Sequence, residues 1–145
     1  MKKMMLVLVV LVSSLVTLAT EENVNEKVLS AFKSDFTAAS QVEWTAGPGY
    51  YKAAFLFNER HVFAFYTAEG KLLGLTRYIT TAELPLKRQA DLKKNYGQYW
   101  ISDLFEAARE EGTFYYITLE NTDTRIVLKA SADNSWTVYE KVKKA

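Results

Sequence analysis

Residues 50–74, YYKAAFLFNERHVFAFYTAEGKLLG, and residues 114–138, FYYITLENTDTRIVLKASADNSWTV, are two versions of one pattern. In each, a run of strand-forming residues reaches a polar turn, returns as a second strand, and passes a small turn into a third. A gapless shift of 64 positions lays Tyr50-Tyr51 on Phe114-Tyr115, Phe55 on Leu119 and Val62 on Ile126. It also lays Ala68-Glu69-Gly70 on Ala132-Asp133-Asn134 and Leu72 on Trp136. Order, turn position and polarity agree, which argues for an internal duplication.

The flanking segments extend the pattern. Val24, Val28, Phe32, Phe36 and Ala39 recur at helical spacing, and Asn23 with Glu26 fits an N-cap and its N3 partner. Strands are then predicted over Gln41 to Ala46, Tyr50 to Phe57, His61 to Thr67 and Lys71 to Tyr78. Gly47-Pro48-Gly49, Asn58-Glu59-Arg60 and Ala68-Glu69-Gly70 separate them with turn chemistry. A second helix, Glu83 to Tyr96, matches the first at a shift of 60, with Phe32 on Leu92 and Phe36 on Tyr96. Thr80 and Glu83 can cap it, Pro85 is tolerated in its first turn, and Gly97 can supply a left-handed C′ residue. The four-residue difference between the two shifts falls between Trp100 and Gly112.

In that stretch two arguments conflict. Residues Ser102 to Glu111 are helix formers by propensity, whereas the repeat puts a strand at about Ile101 to Ala107, opposite Val42-Glu43-Trp44. The repeat predicts the strand. The expected fold class is α+β, a tandem repeat of one helix plus a four-stranded antiparallel sheet, over residues 20–79 and 80–145. Bare edges of two such sheets would be sticky, so a join into one curved eight-stranded sheet is physically sensible.

Residues 1–19 read as a removable secretory leader. Lys2 and Lys3 precede an apolar run from Met4 to Val16, and Thr17-Leu18-Ala19 offers small residues at −3 and −1. An uncleaved anchor is the alternative, but a spanning helix needs about 20 apolar residues and this run is shorter. A lipoprotein would need a cysteine, and the chain has none. Removing the leader takes the net charge from +1 to −1. The expected destination is the periplasm or the extracellular space, with no stable membrane insertion after cleavage.

The composition excludes several classes. The chain of 145 residues has 8 Phe, 3 Trp, 9 Tyr, one His and no Cys. Without cysteine there is no disulfide framework, thiol nucleophile or thiolate metal site. A lone His61 leaves a multi-histidine centre or a His-based proton relay almost nothing to build on. A near-neutral charge gives no footprint for nucleic acid. The acids near Asn121 to Thr124 and Asp133 to Ser135 lack calcium-loop spacing. No Gly-x-Ser-x-Gly elbow or phosphate-binding loop is present. The reading is therefore no enzyme, no catalytic residues, no cofactor and no metal.

The phase of the strands assigns the aromatics. Ile126, Leu128 and Ala130 alternate with Arg125, Val127 and Lys129, so the charged set should point away from the helices. Across the repeat, Tyr51, Ala53, Phe55, Val62, Ala64, Tyr115, Ile117, Leu119, Trp136 and Val138 should face the helices. The outward set then holds Tyr50, Lys52, Phe63, Phe65, Phe114, Tyr116, Arg125 and Lys129, with Ala54, Leu56, His61 and Leu73. Aromatics beside cations, with few acids, match the centre of a protein-binding surface. The other reading is that they pack under loops, against the C-terminal segment or between the repeats.

The run Phe32…Phe36…Val42-Glu43-Trp44…Tyr51-Lys52-Ala53-Ala54-Phe55, then Phe65-Tyr66-Thr67-Ala68-Glu69-Gly70-Lys71, resembles exported bacterial PepSY-like proteins. These are grouped with the β-lactamase-inhibitor-like fold. Leu84-Pro85, Tyr96-Gly97-Gln98-Tyr99, Tyr115-Tyr116-Ile117-Thr118-Leu119-Glu120 and Val138-Tyr139-Glu140-Lys141 are similar too. The resemblance implies tandem helix-plus-four-strand units whose sheets can join into one curved surface with helices behind. In the β-lactamase inhibitory protein such a surface grips an enzyme. That inhibitor uses disulfides and this chain has no Cys, so what carries over is a protein-binding surface without that target. A protein partner is expected, through Tyr50, Lys52, Phe63, Phe65, Phe114, Tyr116, Arg125 and Lys129, with the chain an inhibitor or sensor of another envelope or extracellular protein. The alternative is a carrier of a small apolar or peptide ligand in a groove between sheet and helices.

Overall fold

The computed structural model describes residues 17–19 and 21–145. The expected leader lies outside these except for Thr17–Ala19, whose backbone forms β1 and pairs antiparallel with Trp44–Ala46. The chain divides into two compact units, one ending at Leu73 and the other starting at Gly74.

In the first unit, α1 (Glu26–Asp35) precedes β2 (Ser40–Gly47), β3 (Tyr50–Phe57) and β4 (Arg60–Tyr66), which pair as an antiparallel meander. The division falls inside the next strand, β5 (Leu72–Tyr78). Phe32 seats the helix. Its ring meets Trp44 at 5.2 Å, Phe55 at 5.0 Å and Tyr66 at 6.5 Å, all edge-on. Edge-to-face contact suits aromatic quadrupoles, so this cluster anchors the helix without a disulfide. The N-cap is Asn25 rather than the expected Asn23: its Oδ1 accepts from the Val28 amide at 3.0 Å, and a 3-10 turn fills Glu21–Asn23.

The second unit begins with Gly74 in β5 and continues with α2 (Leu86–Tyr96), β6 (Trp100–Arg109), β7 (Gly112–Glu120), β8 (Thr124–Ser131) and β9 (Thr137–Lys143). Its strands pair antiparallel in chain order. Leu92 joins Leu104, Ile117, Leu119, Leu128 and Trp136 in its core. Thr80 and Glu83 make the expected capping box, but it caps a 3-10 turn at Thr81–Glu83, and α2 starts later behind Pro85. Gly97 is right-handed, with φ −63 and ψ −19, and not the left-handed residue expected there.

The conflict over residues 102–111 resolves as a strand, because β6 is hydrogen-bonded along its length to β7. Register recurs as the sequence shift requires: Ala53 faces Ala64, and Ile117 faces Leu128. Trp44 faces Ala53 as Leu104 faces Ile117, which puts the four-residue difference in the β6–β7 hairpin. A bulge follows Ser40 in β2 and Ile101 in β6. One inward expectation fails. Val138 pairs with Leu128 but is 57% exposed, because among the described residues β9 is the last strand and pairs only with β8.

Each helix is also pinned near its first turn to the loop after β4 in the first unit and after β8 in the second. Asn25 Nδ2 donates to the Ala68 carbonyl at 2.7 Å, and Gly70, at φ +85, lets the Lys27 carbonyl approach. In the second unit Arg88, 1% exposed, donates to the Asn134 carbonyl and pairs with Asp91 at 3.3 Å. Trp136 Nε1 closes the joint on the Arg88 carbonyl at 3.0 Å.

Two outcomes are expected. A Cβ on Gly70 would sit 2.7 Å from the Lys27 oxygen, in a conformation L residues rarely adopt. Gly70→Ala should therefore destabilise by more than about 1 kcal/mol, read as a lowered denaturant midpoint. Tyr66 donates to Asp35 Oδ2 at 2.9 Å, and burial, then that bond, hold its phenol far above the ordinary value. The unfolded phenol ionises near pH 10, so this stabilisation is complete below about pH 10 and is lost as pH rises further. Denaturant midpoints should fall above that pH, and Tyr66→Phe should make the fall shallower.

Candidate binding face

Alternation along β3 and β4 puts Tyr50 and Lys52, and Phe63 and Phe65, on the face opposite Phe32. Lys52 Nζ stands 4.6 Å from the centre of the Phe63 ring and 5.9 Å from that of Phe65. Tyr50 and Phe65 lie 5.9 Å apart, with Phe63 and Leu73 packed against them. Tyr50 and Phe65 are covered, at 3% and 6% exposed, while Phe63 and Lys52 are half-buried. A glycine makes the cover possible, since a Cβ at Gly47 would fall inside the Tyr50 ring. Burial holds the Tyr50 phenol above its ordinary value and the Lys52 ammonium below its own.

The second unit builds a larger cluster. Phe105, Tyr116 and Lys129 are neighbours across β6, β7 and β8, on the face away from α2. Phe105 stacks on Tyr116 at 5.1 Å and 16°, and Tyr139 meets Tyr116 edge-on at 5.6 Å. Lys129 Nζ is 4.6 Å from the Phe114 ring centre and 5.7 Å from that of Tyr116. The Arg109 guanidinium is also 4.6 Å from Phe114. Opposite Phe114 stands Ala107, where the first unit has Gly47 opposite Tyr50. Phe114 stays half-buried and Tyr116 is 1% exposed.

The electrostatics are those of cations taken out of water. Burial lowers the Lys129 ammonium, and the nearby Arg109 charge lowers it further. Burial raises the Tyr116 phenol against the opposing pull of Arg109. Arg109 Nη2 donates to the Tyr116 hydroxyl at 2.8 Å, and Nε lies 4.0 Å from Glu111 Oε2. Its Nε and Nη1 are buried with no acceptor among the described residues.

The eight expected contact residues thus form two clusters and one outlier. Tyr50, Lys52, Phe63 and Phe65 come together in the first unit, and Phe114, Tyr116 and Lys129 in the second. Arg125 stands apart. It is exposed, pairs across the strands with Glu120, and its charge acts on Asp103 and Glu120. The aromatic face is also less open than alternation implies, since Tyr50, Phe65 and Tyr116 are buried. Arg109, Phe105 and Tyr139 join the second cluster without having been anticipated. Phe105 and Arg109 follow from alternation along β6 once its end is placed at Arg109. Among the described residues, no group of three or more His, Asp or Glu is placed to hold a metal ion, and no helix is long and apolar enough to cross a membrane.

No family model matches the chain, and no curated protein matches it. Solved structures do. A BLIP-like protein from Bacteroides fragilis aligns with a TM-score of 0.70 at 16% identity, over 82% of this chain and 85% of that one. A candidate periplasmic protein from Bacteroides eggerthii aligns at 0.72 and 14%, over 82% and 88%. A DUF2874 family protein from Bacteroides uniformis gives the same TM-score, identity and coverage. At such identities the likeness is one of fold. The chain has a BLIP-like α+β fold, with each helix packed on antiparallel strands.

Among the described residues, Tyr116 is the one side chain that accepts a hydrogen bond from Arg109. Removing its hydroxyl with Tyr116→Phe should cost about 1–3 kcal/mol, the penalty for one more unsatisfied charged donor. An unchanged denaturant midpoint would mean that another group satisfies Arg109.

Proposed function

We propose that the chain is an exported, non-enzymatic protein-binding module of tandem PepSY-like units, working in the periplasm or outside the cell. The observation that carries this reading is one row of each outward face. In the first unit Lys52 on β3 faces Phe65 on β4; in the second Tyr116 on β7 faces Lys129 on β8. Each position is 64 residues from its counterpart, so cation and aromatic have exchanged strands while the cation–aromatic contact persists. A core would retain the aromatic and discard the lysine, because burying an ammonium is costly. Retaining both suits a surface that is desolvated when a partner docks. The leader pattern expected of residues 1–19 and the likeness to a candidate periplasmic protein support export.

The test uses the half-buried members, whose loss the fold can tolerate. Phe63→Ser with Phe114→Ser should keep the wild-type circular dichroism and melting cooperativity. The double variant should no longer capture the protein that the wild-type chain draws from an envelope extract, nor bind that protein once purified. Undiminished binding would overturn the proposal.

A second reading, a small-ligand carrier, is favoured by two grooves at matching places beside the helices. One, of about 320 Å³, is lined by Phe32, Lys33, Phe36 and Trp44; the other, of about 370 Å³, by Leu92, Lys93, Tyr96 and Tyr99. Native mass spectrometry that finds only the bare chain mass would count against it.

A further inference from the structure

We propose that Arg109 is the anchor for one aspartate or glutamate carboxylate of a protein partner docking on the outward face of the second unit. This rests on the protein-binding reading above and names the chemistry of the partner's central contact.

A guanidinium carries five N–H groups and no acceptor. Here the side chain is 3% exposed, and among the described residues only Nη2 of its three nitrogens has an acceptor, the Tyr116 hydroxyl at 2.8 Å. Glu111 stands off at 4.0 Å on the Nε side, beyond hydrogen-bond reach, and its own side chain is 54% exposed. Nη1 has nothing. Buried, charged donors without acceptors are among the most costly features a fold can hold, and each asks for a counter-charge. Lys129 adds a second cation beside the same Phe114 ring.

Glu111 acts on both Arg109 and Lys129, and Glu140 acts on Tyr139, yet the Nε and Nη1 donors of Arg109 stay unmatched, and a single carboxylate can accept from two such donors. The flanking groups identify its source. The walls are the rings of Phe114, Tyr116 and Tyr139, of which Phe114 and Tyr139 are half-buried and Tyr116 is covered. Such walls suit the side chains of a polypeptide on either side of an acidic residue. Glu111 stands 4.0 Å away on the Nε side, and an incoming carboxylate would have to displace it to reach the buried Nε. Glu111 is therefore a competitor, and this separates the proposal from a simple internal ion pair.

The test follows the Nε–Hε resonance of Arg109 in the isotope-labelled full chain. The probes are acetyl-Gly-Asp-Gly-amide and its Asn counterpart, at fixed ionic strength. The Asp peptide should shift the resonance saturably and the Asn peptide should not. Glu111→Gln should tighten the response several-fold. Arg109→Lys, which keeps the charge and loses the fork, should weaken binding about tenfold or more, followed through the Tyr116 ring signals. Equal shifts from both peptides, or a Glu111→Gln response no tighter than wild type, would overturn the anchor. If the anchor fails while Phe63→Ser with Phe114→Ser still abolishes partner binding, the module reading stands without it. If the Asp peptide binds but that double variant retains its partner, the module reading falls and the carboxylate site remains.

Discussion

The constraint on which both units depend is the joint between the first turn of each helix and the loop that follows β4 or β8. A chain without cysteine cannot tie a helix down covalently, so the helix must be placed by packing and by hydrogen bonds at its end. The first unit uses backbone: Gly70 gives up its side chain so that the Lys27 carbonyl can come close, and Asn25 bonds both the helix start and Ala68. The second unit uses a buried arginine, with Trp136 bonded to its carbonyl. Position 88 is 60 residues beyond Val28, and Asn134 is 64 beyond Gly70. One mechanical demand is therefore met once by removing atoms and once by adding a charge. The second solution is the more exacting, because a buried guanidinium destabilises the fold unless its partners are in place.

The joint in turn fixes the register of what lies on the opposite face. With Phe32 held over Trp44, Phe55 and Tyr66, the alternation of β3 and β4 leaves Lys52, Phe63 and Phe65 on the other side. The same holds for Phe105, Phe114, Tyr116 and Lys129 behind the Leu92 core.

Much of this was legible in the sequence, and the misses have physical causes. Turn residues marked the β3 and β4 hairpin almost to the residue, because Asn58 and Glu59 both take positive φ and few residue pairs do so. The repeat overruled helix propensity at 102–111 because strand pairing with β7 outweighs the preference of Ala, Glu and Leu. Helix starts were harder to place. Asn23 and Asn25 are equivalent as caps by residue type, and only the 3-10 turn before α1 selects the later one. Depth of burial was less legible still: alternation says which side a ring takes but not whether Gly47 lets it lie flat. Arg109 escaped notice because it falls in the hairpin where the two shifts part, two residues past the expected strand end.

That hairpin has one more consequence. β2 and β3 stop pairing at Gly47 and Tyr50, whereas β6 and β7 continue to Arg109 and Gly112. A protein with two matching halves would ordinarily present two equivalent seats, and a symmetric ligand could bridge them or bind twice. The lengthened hairpin breaks that equivalence. It sets a buried cation beside the aromatic row of one half, while the other half has only its lysine. Under the carboxylate-anchor proposal, the chain would offer an acidic partner one such seat, and their complex should be one-to-one in composition despite the twofold pattern of the sequence.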